Sequence, residues 1–151
     1  MKTLADSLIE RMTLFPKGTA KFSEQNEFWK TDLNAKWGKS KIKLEVISTR
    51  FDLKSPFKKS KISKASFMGL ISRSDTYHFK GKSSEISEML LSSNLARPLL
   101  NAKWPSFEIT DKSLIYKSTL KGRDFDSLKA VIKLNSMLTE KIDIIIRDNV
   151  I

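Results

Sequence analysis

At 151 residues the chain has the size of one domain, and 40% hydrophobic with 30% charged residues is a globular composition, not a disordered or low-complexity one. With no cysteine and one histidine, His78, zinc sites, iron–sulfur clusters, thiol nucleophiles and histidine-based triads have few or no residues to draw on, and no cofactor is expected. The formal charge is +11, and the excess is localised: residues 1–35 carry five groups of each sign, residues 83–151 ten basic and nine acidic, and residues 36–82 thirteen basic against only Glu45, Asp52 and Asp75.

In chain order, Leu4, Leu8, Ile9 and Met12 recur at helical spacing with Asp6 and Glu10 on the other face, which predicts a short amphipathic helix over Thr3–Met12. Those two acids interrupt the apolar start that a secretory signal needs. No apolar run reaches the roughly 18 residues of a bilayer span, and Lys2 stands where myristoylation requires Gly. A cytoplasmic location is expected, at most peripheral at the inner membrane surface. Phe15-Pro16-Lys17-Gly18 marks a turn. Ser23 as a cap then predicts a helix over Glu24–Trp37, with Trp29, Leu33 and Trp37 on one face and Gly38 as its stop.

From Lys41 the period becomes two: Ile42, Leu44 and Val46 alternate with Lys41, Lys43 and Glu45, the pattern of a half-buried strand. Phe51 and Leu53 continue the apolar series on odd positions, which predicts a bulge near Ile47–Thr49. Ser55-Pro56 breaks the ladder. Ile62–Met68 forms a second predicted strand, so Lys54–Lys59 becomes a hairpin-like connection with its lysines at the tip, and Tyr77 and Phe79 define a third strand ended by Gly81.

Ser83 or Ser84 starts a predicted helix carrying Ile86, Met89, Leu90 and Leu91, and a further helical turn over Leu95–Leu100 ends at Trp104-Pro105. Residues 106–120 predict an antiparallel hairpin turning at Asp111-Lys112-Ser113, and Gly122 ends it. Asp124 caps a last helix whose apolar face is Leu128, Val131, Ile132, Leu134, Met137, Leu138 and Ile142. This order predicts a single α+β domain: an antiparallel β-sheet with helices packed on one side and a long C-terminal helix. Within it, residues 36–82 form a basic segment and residues 83–146 a helix-hairpin-helix segment.

The run Phe79-Lys80-Gly81-Lys82, the Leu90-Leu91 pair, Phe107-Glu108-Ile109, Leu114 and Asp126-Ser127-Leu128 resembles uncharacterised bacterial α+β domains, often membrane-anchored, over about residues 75–142. The resemblance implies a strand, a polar turn, a helix, a hairpin and a long closing helix, and brings no activity with it.

His78 lies between Tyr77 and Phe79 without a partner for acid–base or metal chemistry. The five glycines are too scattered for a phosphate loop or a dinucleotide fingerprint. Asp52-Leu53-Lys54 puts a carboxylate and an amine on one strand face, the single feature that points to a metal-dependent nuclease. Glu85, Glu88, Asp124 and Asp126 are explained by helix capping. No catalytic or metal-binding residue is assigned.

The basic segment interleaves cations with rings at Lys36-Trp37-Gly38-Lys39, Arg50-Phe51, Phe57-Lys58-Lys59 and Lys64 with Phe67; most of these rings fit the buried phase of strands, and Phe57 beside Pro56 is the exposed exception. A lysine cluster serves equally as a solvated face. The functional expectation is a non-enzymatic binding module whose Lys39, Lys41, Lys43, Lys54, Phe57, Lys58, Lys59, Lys61 and Lys64 engage an acidic macromolecule: nucleic acid or an anionic lipid surface. The alternative is an adaptor or inhibitor that covers an acidic partner protein.

Overall fold

The computed structural model describes residues 3–51, 60–64, 77–81, 102–110 and 112–149. These form helix α1 (Leu4–Leu14), strands β1 (Gly18–Gln25), β2 (Trp29–Trp37), β3 (Lys41–Arg50), β4 (Ser60–Lys64), β5 (Tyr77–Gly81), β6 (Lys103–Ile109) and β7 (Ser113–Lys121), and helix α2 (Phe125–Asn149). The strands make one seven-stranded sheet in the order β1-β2-β3-β7-β6-β4-β5, antiparallel at every described pairing. The class is α+β, as the residue pattern predicts.

One face of the sheet is covered and the other is open. Residues Trp29, Leu33, Ala35 and Trp37 of β2, Ile42, Leu44 and Val46 of β3, Leu114, Tyr116 and Leu120 of β7, and Phe107 and Ile109 of β6 are all buried. The register sets them side by side, for example Leu33 opposite Val46 and Val46 opposite Tyr116, so they form one surface. Helix α1 buries Leu4, Leu8 and Met12, and helix α2 buries Leu128, Val131, Ile132, Leu134, Leu138, Ile142 and Ile146 in the same core cluster. Thr3 begins α1 as a capping box, its hydroxyl accepting from the Asp6 N–H while the Asp6 carboxylate accepts from the Thr3 N–H. Asp124 begins α2, accepting from both the N–H and the hydroxyl of Ser127. Met137 departs from the predicted apolar face and is 36% exposed.

Several expectations are corrected. The helix expected over Glu24–Trp37 is instead the β1–β2 hairpin, with Asn26 accepting from the N–H groups of Phe28 and Trp29 in the turn. No phase slip occurs at Ile47–Thr49: β3 stays buried on even positions through Ser48 and Arg50, and Phe51 turns out into solvent, 48% exposed. Polar groups can hold those buried positions because each has a partner. Ser48 donates to Asn135 of α2 at 2.7 Å and bonds Thr31 at 3.1 Å, while the Arg50 guanidinium meets Asp143 of α2.

β4 pairs with β5 and β6, not with β3, so the connection after β3 does not join neighbouring strands as a hairpin would; Lys54, Phe57, Lys58 and Lys59 lie outside the described residues. The predicted strand over Ile62–Met68 is described as Ser60–Lys64 only, and the predicted helices of residues 83–100 lie outside the described residues. Trp104-Pro105 does not end a preceding element. It falls inside β6, where the register shifts between Lys103 and Ser106, the kind of irregularity in which a strand accepts proline.

The β3–β7–α2 junction is closed by Gly122. A Cβ there would lie 2.3 Å from the Lys39 carbonyl oxygen, and the Gly122 N–H donates to the Ser40 carbonyl at 3.0 Å. Arg123 follows with φ 63°, a left-handed residue that turns the chain into α2.

Candidate functional site

Because side chains alternate along a strand, burying one face delivers the remaining positions to the other. The open face is therefore composed of Thr19, Lys21 and Ser23 of β1; Lys30, Asp32, Asn34 and Lys36 of β2; Lys41, Lys43, Glu45, Ile47 and Thr49 of β3; Ser113, Ile115, Lys117, Thr119 and Lys121 of β7; and Ser106, Glu108 and Lys61 beyond.

Charge is not uniform over this face. Toward the β2–β3 turn, Lys21 faces Asn34, Glu45 faces Lys117, Lys36 lies directly opposite Lys43, and Lys41 lies directly opposite Lys121. Lys39 adds an exposed cation in the turn. The carboxylate in this half is Glu45, and both of its oxygens are engaged: one accepts from Asn34 at 3.1 Å and the other pairs with Lys117 at 3.3 Å. None of Lys21, Lys36, Lys39, Lys41, Lys43 and Lys121 reaches an ion-pair partner among the described residues. Two Lys–Lys oppositions are thus held on neighbouring strands, where like charges raise the energy of the sheet.

The other half of the face is neutral and partly apolar. One row across it runs Ser23, Asp32, Ile47, Ile115, Glu108 and Lys61, and the next runs Gln25, Lys30, Thr49 and Ser113. Asp32 accepts from Ser23 and sits 4.0 Å from Lys30, and Lys61 stands in register with Glu108. In the cationic half the twisted sheet forms a shallow open trough of about 690 Å³ floored by β1, β2, β3 and β7 and edged by Lys21, Lys36, Lys43 and Lys117.

The predicted binding residues are therefore divided. Lys39, Lys41 and Lys43 come together in the cationic half; Lys61 is exposed on the same face but in its neutral half. Lys64 is the last residue of β4, in register with Tyr77 of β5. Lys21, Lys36, Lys117 and Lys121 join the cationic half without having been assigned to it from sequence. The signal for Lys36 was present in the alternation of Lys30, Asp32, Asn34 and Lys36 with the buried residues of β2, hidden by the helical reading of that segment. Trp37 is buried, its Nε1–H donating to the Phe15 carbonyl at 2.9 Å, and Arg50 is 5% exposed, so neither serves the open face. Among the described residues no group of three or more His, Asp and Glu is placed to hold a metal ion. Asp52 and Lys54 lie outside the described residues.

No helix among the described residues is long and apolar enough to cross a membrane. Comparison with protein-family models, curated proteins and solved structures finds no match to this chain.

Proposed function

We propose that the protein is a non-enzymatic binding module and that the cationic half of its open sheet face docks a polyanionic partner. The observation that carries this reading is the double opposition of Lys36 with Lys43 and Lys41 with Lys121, with Glu45 already satisfied by Asn34 and Lys117. Two like charges at about 6 Å in water repel by less than roughly 1 kcal/mol, a tolerable cost for the free protein, and an anion shared between them reverses the sign of the term. Rigid strands hold the ammonium groups in rows, so an extended anion meets several at once.

The test uses duplex DNA as a generic polyanion, with affinity followed by fluorescence anisotropy across a salt series. If the six unpaired lysines each displace a counterion, the log–log slope is about −5 and affinity falls on the order of a thousandfold between 50 and 200 mM salt. Replacing Lys36 and Lys43 by alanine reduces the slope by about 2. The Lys30→Ala/Lys133→Ala variant, with the same charge change on the neutral half and on α2, keeps the wild-type slope. Equal losses in the two variants would mean that net charge alone governs binding, and the face would have no special role.

A further inference from the structure

Three turns meet at the cationic end of the sheet. Phe15-Pro16-Lys17 leads from α1 to β1, Gly38-Lys39-Ser40 joins β2 to β3, and Gly122-Arg123 joins β7 to α2. They are tied together: Trp37, the last residue of β2, donates from its indole to the Phe15 carbonyl, the Gly122 N–H donates to Ser40, and the Arg123 guanidinium donates to the Met12 carbonyl at 2.6 Å.

This end exposes apolar side chains as well as cations. Leu14 is 68% exposed and Phe15 51% exposed, the two most exposed of the large hydrophobic residues in the described chain. Neither is a frayed end. Phe15 closes α1, its N–H donating to Arg11 at 3.1 Å while its carbonyl holds the Trp37 indole, so the backbone is fixed on both sides while half the residue faces water. At the same end of the sheet are the exposed Lys17, Lys39, Lys41, Lys121 and Arg123. The acids nearby are Glu10, Asp124 and Asp126; Asp124 is engaged in capping α2 and Asp126 is exposed in its first turn, so the cations still outnumber them. The opposite end is balanced in charge: Phe51 is exposed there, with Glu24, Glu27 and the Arg50-paired Asp143 beside the exposed Lys30 and Lys112.

We infer that the polyanion is an anionic lipid bilayer, approached by the three-turn end with Leu14 and Phe15 entering the headgroup boundary. This rests on the polyanion reading, since Lys39, Lys41 and Lys121 belong to both surfaces, and it adds a feature that a nucleic acid does not require. Exposed apolar side chains and an excess of cations at one end of the sheet combine the two terms of interfacial binding: burial of apolar area and attraction to anionic headgroups, the latter about fivefold per cation near the surface. In this pose the rows from Lys41–Lys121 to Lys36–Lys43 lead away from the bilayer along the strands.

Sedimentation with phosphatidylcholine vesicles, with and without phosphatidylserine, tests it. The wild-type protein is expected to pellet with the phosphatidylserine vesicles and stay in the supernatant with phosphatidylcholine alone. The Leu14→Ser/Phe15→Ser variant should bind phosphatidylserine vesicles at least about tenfold more weakly while keeping wild-type melting temperature and wild-type affinity for duplex DNA. A Leu14→Trp reporter should shift its emission to the blue on these vesicles. Binding to DNA but not to phosphatidylserine vesicles would overturn the lipid assignment and leave the polyanion reading standing; binding to neither would overturn both. Equal pelleting of wild type and the Leu14→Ser/Phe15→Ser variant, or an unshifted reporter, would overturn the insertion.

Discussion

Removing the carboxylate of Asp143 should destabilise the fold far more than its partly exposed position implies. Its Oδ1 accepts from the Trp29 indole at 2.8 Å and from the Arg50 guanidinium, whose side chain is only 4% exposed against 28% for Asp143. That guanidinium stacks over Phe28 at 4.9 Å and Trp29 at 5.7 Å, so it has aromatic faces on two sides and little water. Truncating one partner of a buried pair costs about 3–5 kcal/mol, because the remaining charge loses its counterion while staying desolvated. Solvent reaches the Asp143 side, which places Asp143→Ala near the lower limit, about 3 kcal/mol. With a urea m-value of roughly 2 kcal/mol per molar, the midpoint should fall by about 1.5 M, read by circular dichroism and tryptophan fluorescence together. Arg50→Met should cost less, about 1 kcal/mol, because it removes the charge that needs a counterion. In the Arg50→Met background Asp143→Ala should lose most of its effect, a coupling energy of at least about 2 kcal/mol. Additive losses, or a cost below about 1 kcal/mol for Asp143→Ala alone, would refute the view that α2 is pinned to β3 through this ion pair.

Gly122→Ala drives a Cβ to 2.3 Å from the Lys39 carbonyl oxygen, so the β2–β3 turn must move; a loss of about 3 kcal/mol, roughly 6–12 °C in Tm by calorimetry, is expected. Burial pushes the Tyr116 phenol from 10.0 to about 12, against a smaller opposing effect of its 2.6 Å hydrogen bond to Ser118. Because the folded-state value is the higher one, its contribution to stability is complete below pH 10 and is lost as pH rises toward 12. The loss amounts to about 2–3 kcal/mol, so chemical denaturation across that window should show a shallower decline for Tyr116→Phe than for wild type.

Elements with local signatures were legible in the sequence. The Leu4–Met12 helical spacing, the 41–46 alternation, the 106–120 hairpin and the Asp124 cap each depend on neighbours within a few residues. The segment 24–37 was not, because Trp29, Leu33 and Trp37 are spaced by four, a step that returns to the same side of a helix and to the same side of a strand. The deciding positions are Thr31 and Ala35, which a helix would turn away and which β2 buries. Arg50 misled for a different reason: its burial depends on a carboxylate 93 positions away in the chain. The candidate site was half legible on the same grounds. Lys39, Lys41 and Lys43 stand out as a local excess of charge, but Lys21 comes from a segment of balanced charge, and Lys117 and Lys121 reach the site only because β7 inserts beside β3.

The opposition of Lys36 to Lys43 and of Lys41 to Lys121 gives ionic strength two contrary effects on one molecule. Electrolyte shortens the reach of repulsion within the empty face, so the uncomplexed chain should become harder to unfold as the medium grows more saline. The same shielding weakens its hold on any anionic target. A protein built this way is sturdiest where it is least adhesive, and the face yields some of its own cohesion to keep its charges available.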